Sequence, residues 1–128
     1  MRHKKKRTLE LSTGVQRKDN VIRTLLTNFI THGEMITTIK RAKVLKAQAD
    51  SFFARLVKLS TKYDEAGAKR EAIRIVKDTL YTERAGKRAV NEFLPKYLEE
   101  KRTTGFVTDN KLGPRPGDAA EKVLLKLI

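Results

Sequence analysis

Acid–base or nucleophilic catalysis needs partnered side chains, and in this chain the residues able to do such chemistry stand apart. Cysteine is absent, so there is no thiolate nucleophile, no thiolate zinc site and no disulfide framework. His3 and His32 are distant in sequence, and neither has a neighbouring carboxylate or nucleophile that would make it a general base. Glu99 and Glu100 are adjacent near an expected helix end, where side chains diverge, so they do not form a cooperating acid and base. Asp109 and Asp118 are too few for the convergent carboxylates of a two-metal nuclease. Neither G-x-S-x-G nor a P-loop occurs, and the segment from Gly113 to Gly117 lacks the G-x-G-x-x-G spacing of a dinucleotide cradle. The sequence is therefore expected to specify no enzyme, and to need no cofactor, metal or small-molecule substrate.

Binding chemistry is far better supplied. Lysine and arginine number 29 against 15 acids, a formal charge of +14 that self-repulsion makes costly unless a polyanion neutralises it. The excess is uneven: residues 1–46 hold 12 basic and 3 acidic residues, and the remainder 17 and 12. That is +9 against +5, so binding should centre on the first third. Aromatic residues are only 6% of the chain, and Phe29, Phe52 and Phe53 are needed for the core. A platform for stacking single-stranded bases is thereby disfavoured. Duplex DNA remains the alternative, because charge alone does not separate two polyanions. No helix-turn-helix, basic zipper or zinc finger is evident. A long basic arm with dispersed basic faces suits folded RNA better than one recognition helix does.

These groups must be positioned by a small domain. Residues 1–11 read as a basic N-terminal arm, disordered until an anionic surface condenses it, and residues 12–128 as a single globular domain. Thr13-x-x-Gln16 has capping-box spacing, and Val21, Ile22, Leu25, Leu26, Phe29 and Ile30 then recur at helical intervals up to a stop at Gly33. Residues 35–39, Met-Ile-Thr-Thr-Ile, are β-branched enough for a short strand. A helix follows from Lys40 to Lys62, with Ala42, Leu45, Ala49, Phe52, Phe53, Leu56 and Leu59 inward and Lys40, Arg55, Lys58 and Lys62 on the opposite side. Asp64 should cap a helix reaching Leu80, and a last helix should cover Arg84 to Leu98 with a kink or early end at Pro95. Residues 103–108 and 122–128 read as antiparallel strands joined by an irregular loop from Asp109 to Glu121. That loop either turns Arg115 toward a phosphate or is simply a long turn. The expected class is α+β: about four helices packed on a small mixed or antiparallel sheet. No signal-length apolar stretch follows the basic start, and no run of about 18 apolar residues occurs, so the chain reads as cytoplasmic, without a membrane partner. A lysine-rich arm is also unlike an organellar transit peptide, which favours a bacterial origin.

In this order the segments resemble the family of the protein numbered seventeen of the bacterial large ribosomal subunit. Met1-Arg2-His3-Lys4 is similar to the family's start, and Ile36-Thr37-Thr38 with Ala42-Lys43-x-Leu45-Lys46 is similar to its I-x-T-T-x-x-x-A-K-x-L-[RK] signature. Phe93-Leu94-Pro95-Lys96-Tyr97, Gly105-Phe106-Val107-Thr108 and Arg115-x-Gly117-Asp118-Ala119-Ala120 resemble its later elements. Thr108, Leu11 and Thr24 depart from residues usual in the family, so no RNA contact is carried to them. The resemblance implies an α+β protein bound to 23S rRNA near the rim of the polypeptide exit tunnel, beside neighbouring large-subunit ribosomal proteins.

The expected RNA contacts are Arg2, His3, Lys4, Lys5, Lys6 and Arg7 threading into RNA. Arg17, Lys18, Arg23, Lys40, Arg41, Lys43 and Lys46 would grip phosphates, with Thr37 and Thr38 hydrogen-bonding nearby and Arg115 adding a contact from the C-terminal loop.

Overall fold

The computed structural model describes Leu11 and residues 13–14 and 16–128. The first helix, α1 (Lys18–His32), starts later than the capping-box spacing suggests: its N-cap is Arg17, and no side chain accepts the first amides. Thr13 instead has its hydroxyl buried without a hydrogen-bond partner among the described residues. The stop is where glycine places it. Gly33 takes φ +78°, and its amide donates to the Phe29 carbonyl, a left-handed cap that a Cβ would disfavour.

Strand β1 (Glu34–Thr38) leads without a loop into α2 (Ile39–Lys62), which buries Ala42, Leu45, Ala49, Phe52, Phe53 and Leu56 as the 3–4 spacing demands. Helix α3 (Glu65–Thr79) is capped by Asp64, whose carboxylate accepts from the Gly67 amide at 3.1 Å. The last helical stretch runs as α4 (Glu83–Arg88), a single π-turn (Ala89–Phe93) and α5 (Leu94–Glu99). The π-turn is the fold's answer to Pro95. In α geometry the proline ring would meet the carbonyl four residues back and leave it without a donor. The widened turn, in which the Leu94 amide reaches the Ala89 carbonyl, absorbs that conflict without ending the helix.

The C-terminal strands correct two expectations: residues 103–106, expected to open the first of them, are irregular, and the strand begins only at Val107. β2 (Val107–Pro114) and β3 (Glu121–Leu127) form an antiparallel hairpin, so most of the segment expected as an irregular loop is strand, and only residues 115–120 connect the two. Asp109-Asn110-Lys111 has little intrinsic strand preference, but β3 supplies it with a ladder, and cross-strand pairing outweighs propensity. Gly113 and Pro114 are tolerated because β2 is an edge strand and the register shifts by one residue between Lys111 and Gly113. The sheet order is β1-β3-β2, all antiparallel.

One face of β3, carrying Val123, Leu125 and Leu127, closes on the helices. Phe53 is the hub of this core. Its ring lies edge-on to Phe52, Phe93 and Tyr97 at centroid distances of 5.1, 6.0 and 5.2 Å, and it also meets Phe106 at 5.9 Å. Asp50, the one acid of α2, is turned to this junction, where it accepts the Phe106 amide at 3.0 Å and ties the helix to the start of β2. No helix among the described residues is long and apolar enough to cross a membrane.

Candidate nucleic-acid interface

Register decides which basic groups meet. Thr38 pairs with Lys122, and Lys122 pairs with Gly113, so the end of β1, the start of α2 and the β2–β3 turn lie at one end of the sheet. Exposed Lys40, Arg41 and Lys43 project there from the first turns of α2, and Arg115 sits in the adjoining turn. Lys111 joins them from the groove side of β2, opposite Val123, whereas Lys122 lies on the other face of the sheet with Thr38. Neither was expected as a contact, because the segment holding Lys111 reads as loop and Lys122 as one more strand residue. Their signal lay in the register.

Thr37 and Thr38 do not act side by side. Strand alternation turns Thr38 with Lys122 to the outer face and Thr37 with Val123 toward the helices. A shallow groove of about 110 Å³ lies between α2 and β2, lined by Ile39, Ala42, Lys43, Lys46, Asp109, Lys111 and Val123. Lys46 closes its floor by donating to the Asp109 carboxylate at 2.8 Å, which holds that carboxyl below its ordinary pKa. Lys46 thus braces the edge strand against α2 as well as adding positive charge.

Two more expected contacts are engaged inside the protein. Arg23 donates through Nη2 to the carbonyls of Lys77 at 2.8 Å and Leu80 at 3.0 Å, at the C-terminal end of α3. Its guanidinium carbon lies 4.3 Å from the Tyr81 ring centroid. Neighbours on the same face of α1 hold the same connection: Tyr81 donates from its amide to the Thr27 hydroxyl at 3.1 Å and from its own hydroxyl to Asn20 at 3.1 Å. Arg23 is therefore a clamp between α1 and the α3–α4 link. Arg115 presents its fork to Asp118, with Nε to Oδ1 at 2.7 Å and Nη2 to Oδ2 at 2.6 Å. This pairing holds the Asp118 carboxyl far below the carboxylate range and stiffens the turn.

Arg17 is exposed at the N-cap of α1, with Lys18 beside it in the first turn. Arg2, His3, Lys4, Lys5, Lys6 and Arg7 lie outside the described residues. His32 is exposed in the last turn of α1, at the other end of the sheet, where Glu34 pairs with Lys126. Among the described residues no group of three or more His, Asp or Glu side chains is placed to hold a metal ion. The chemistry on offer is an array of ammonium and guanidinium groups on rigid elements, suited to anionic oxygens.

Comparison with known proteins agrees with that chemistry. The profile described as ribosomal protein L17 matches residues 21–128. The large ribosomal subunit protein bL17 of Rubrobacter xylanophilus is 34% identical over 128 residues, covering all of this chain and 96% of its own length. The protein of that name from Halothermothrix orenii is 33% identical over 116 residues, 91% of each chain. The one from Clostridium acetobutylicum is 34% identical over 108 residues, 84% of this chain and 85% of its own. With a profile spanning most of the residues and relatives matched nearly end to end, the chain belongs to the ribosomal protein L17 family.

Proposed function

We propose that this protein is a structural constituent of the bacterial large ribosomal subunit that binds 23S rRNA near the rim of the polypeptide exit tunnel, beside neighbouring large-subunit proteins. The observation that carries the reading is family membership over residues 21–128, joined to a +9 excess in residues 1–46. The basic start supplies Arg2, Lys4, Lys5, Lys6 and Arg7 with His3. Leu11, expected at the end of that arm, is instead buried and belongs with the folded unit. Arg17 and Lys18 add charge at the start of α1, and Lys40, Arg41 and Lys43 meet RNA from the sheet end beside Thr38. Lys46 contributes field while bracing the groove.

Such a protein works by electrostatics and shape. Cations on fixed elements displace counterions from the phosphates, and an extended arm enters gaps that a globule cannot. No acid–base step is required, which fits a chain that assembles with RNA rather than transforming a substrate. Sedimentation of a bacterial lysate through a sucrose gradient at moderate salt tests the reading: the protein should travel with the large subunit. Recovery at the top of the gradient, or in the nucleoid fraction, would refute it.

A further inference from the structure

We propose that the outward face of the second half of α2, carrying Arg55, Lys58 and Lys62, is a second RNA-phosphate track, holding a different segment of the folded RNA from the one met at the start of that helix. The inference rests on the RNA-binding reading above.

On α3 and α4, four of the seven cations are balanced locally. Lys69 pairs with Glu65 at 3.4 Å and Arg74 with Glu71 at 3.0 Å on α3, while Lys87 pairs with Glu83 at 3.0 Å and Arg88 with Glu92 at 3.1 Å. Such i,i+3 and i,i+4 pairs are the usual fate of charge on a solvated helix. Helix α2 departs from the pattern. Its 24 residues include seven lysines and arginines but only one acid, Asp50, and that carboxylate accepts the Phe106 amide instead of pairing with a cation. Arg55, Lys58 and Lys62 are all exposed, and none forms an ion pair with a described residue. Lys62 only overlies the ring of Tyr63, at 5.5 Å.

Spacing makes these three groups a track. At ~100° and ~1.5 Å per residue they fall within an arc of roughly 60°, with rises of about 4.5 and 6 Å. A row of unpaired cations on a rigid rod is complementary to a run of backbone phosphates. The row is also remote from the first site: Arg41 and Lys58 are ~26 Å apart along the axis by the same rise. Contacts so far apart on one straight helix brace two RNA segments against each other.

Hydroxyl-radical footprinting of the full-length chain on deproteinised 23S rRNA tests the proposal, together with the salt dependence of binding. The triple variant Arg55→Gln, Lys58→Gln, Lys62→Gln should lower the slope of log K against log salt by about 2–3, at up to ~0.9 per phosphate contact, and erase one protected tract. Arg41→Gln with Lys43→Gln should erase another tract and spare the first. Circular dichroism melts verify that both proteins fold, and Lys58→Gln alone should lower the slope by about 1. An unchanged slope and footprint in the triple variant, or loss of the same tract by both variants, overturns the second track. A wild-type chain that leaves no footprint overturns the RNA reading itself and the track with it.

Discussion

Replacing Arg23 by methionine separates a structural clamp from an RNA contact, because the two roles predict opposite outcomes. The substitution keeps an unbranched side chain but deletes the donors to the Lys77 and Leu80 carbonyls, at 2.8 and 3.0 Å, and the guanidinium over the Tyr81 ring. A hydrogen bond from a charged donor contributes about 1.5–3 kcal/mol, the low end applying to the more exposed of the two. The cation–π contact adds about 0.5–1 kcal/mol. Arg23 Nε is buried without a partner among the described residues, and removing it returns about 1–3 kcal/mol of desolvation cost. The net expected loss is about 2 kcal/mol, which for a chain of 128 residues lowers Tm by roughly 6–10 °C. Thermal melting followed by circular dichroism reads the stability, and the salt dependence of 23S rRNA binding reads the phosphate contacts. The clamp predicts a lower Tm with an unchanged salt slope. A melt within ~2 °C of wild type, with a slope smaller by about 1, would show Arg23 to be a phosphate contact and refute the assignment.

Further outcomes follow from the core and the groove. Tyr97 is fully buried, its hydroxyl has no partner among the described residues, and burial pushes its pKa up to about 12. A raised folded pKa means stability present below the ordinary tyrosine value of 10.0 and lost as pH rises through about 12, so alkaline denaturation should steepen across that window. Tyr97→Phe should remove that steepening and stabilise the protein by up to ~1 kcal/mol at neutral pH, measured by urea unfolding at a series of pH values. Gly86→Ala should cost about 1–3 kcal/mol in the same assay, because a Cβ there overlaps Val76 Cγ1 on α3. Lys46→Met should raise the Asp109 carboxyl midpoint toward its ordinary value, followed by NMR. The sign is that of a depressed acid: the pairing contributes above the unfolded carboxylate pKa and is lost as pH falls through the folded one, so wild type and variant should converge in acid.

The helices were legible because their signals are local. Apolar residues at 3–4 spacing mark α1, α2 and α3, Gly33 and Asp64 mark a stop and a start, and each is satisfied within a few residues. β1 is equally local, although its β-branched run carries one residue past the strand, Ile39 opening α2 instead. The extension of β2 through Asp109, Asn110 and Lys111 was not legible, because its strand character comes from a partner that follows later in the chain. The fate of the basic residues divides along the same line. Arg23 finds its acceptors 54 and 57 residues away and Lys46 its partner 63 residues away, so composition could count these charges but not show that they are engaged. The Arg115–Asp118 fork could have been anticipated, since a spacing of three inside a Gly/Pro turn brings the two side chains together. Conversely, the meeting of Lys43 with Lys111 across the α2–β2 groove, and of Thr38 with Lys122 on the outer face, exists only through sheet register.

The central claim, that the basic arm and the start of α2 bind folded ribosomal RNA, is tested most directly by titrating 23S rRNA with the full chain and with a chain lacking residues 1–7, which keeps buried Leu11, across a series of salt concentrations and in competition with duplex DNA. Arg2, Lys4, Lys5, Lys6 and Arg7 are five cations, so deletion should reduce the magnitude of the salt slope by about 4, while the full chain should prefer the rRNA over the duplex at every salt concentration. An unchanged slope on deletion, or equal competition by duplex DNA, would contradict the account.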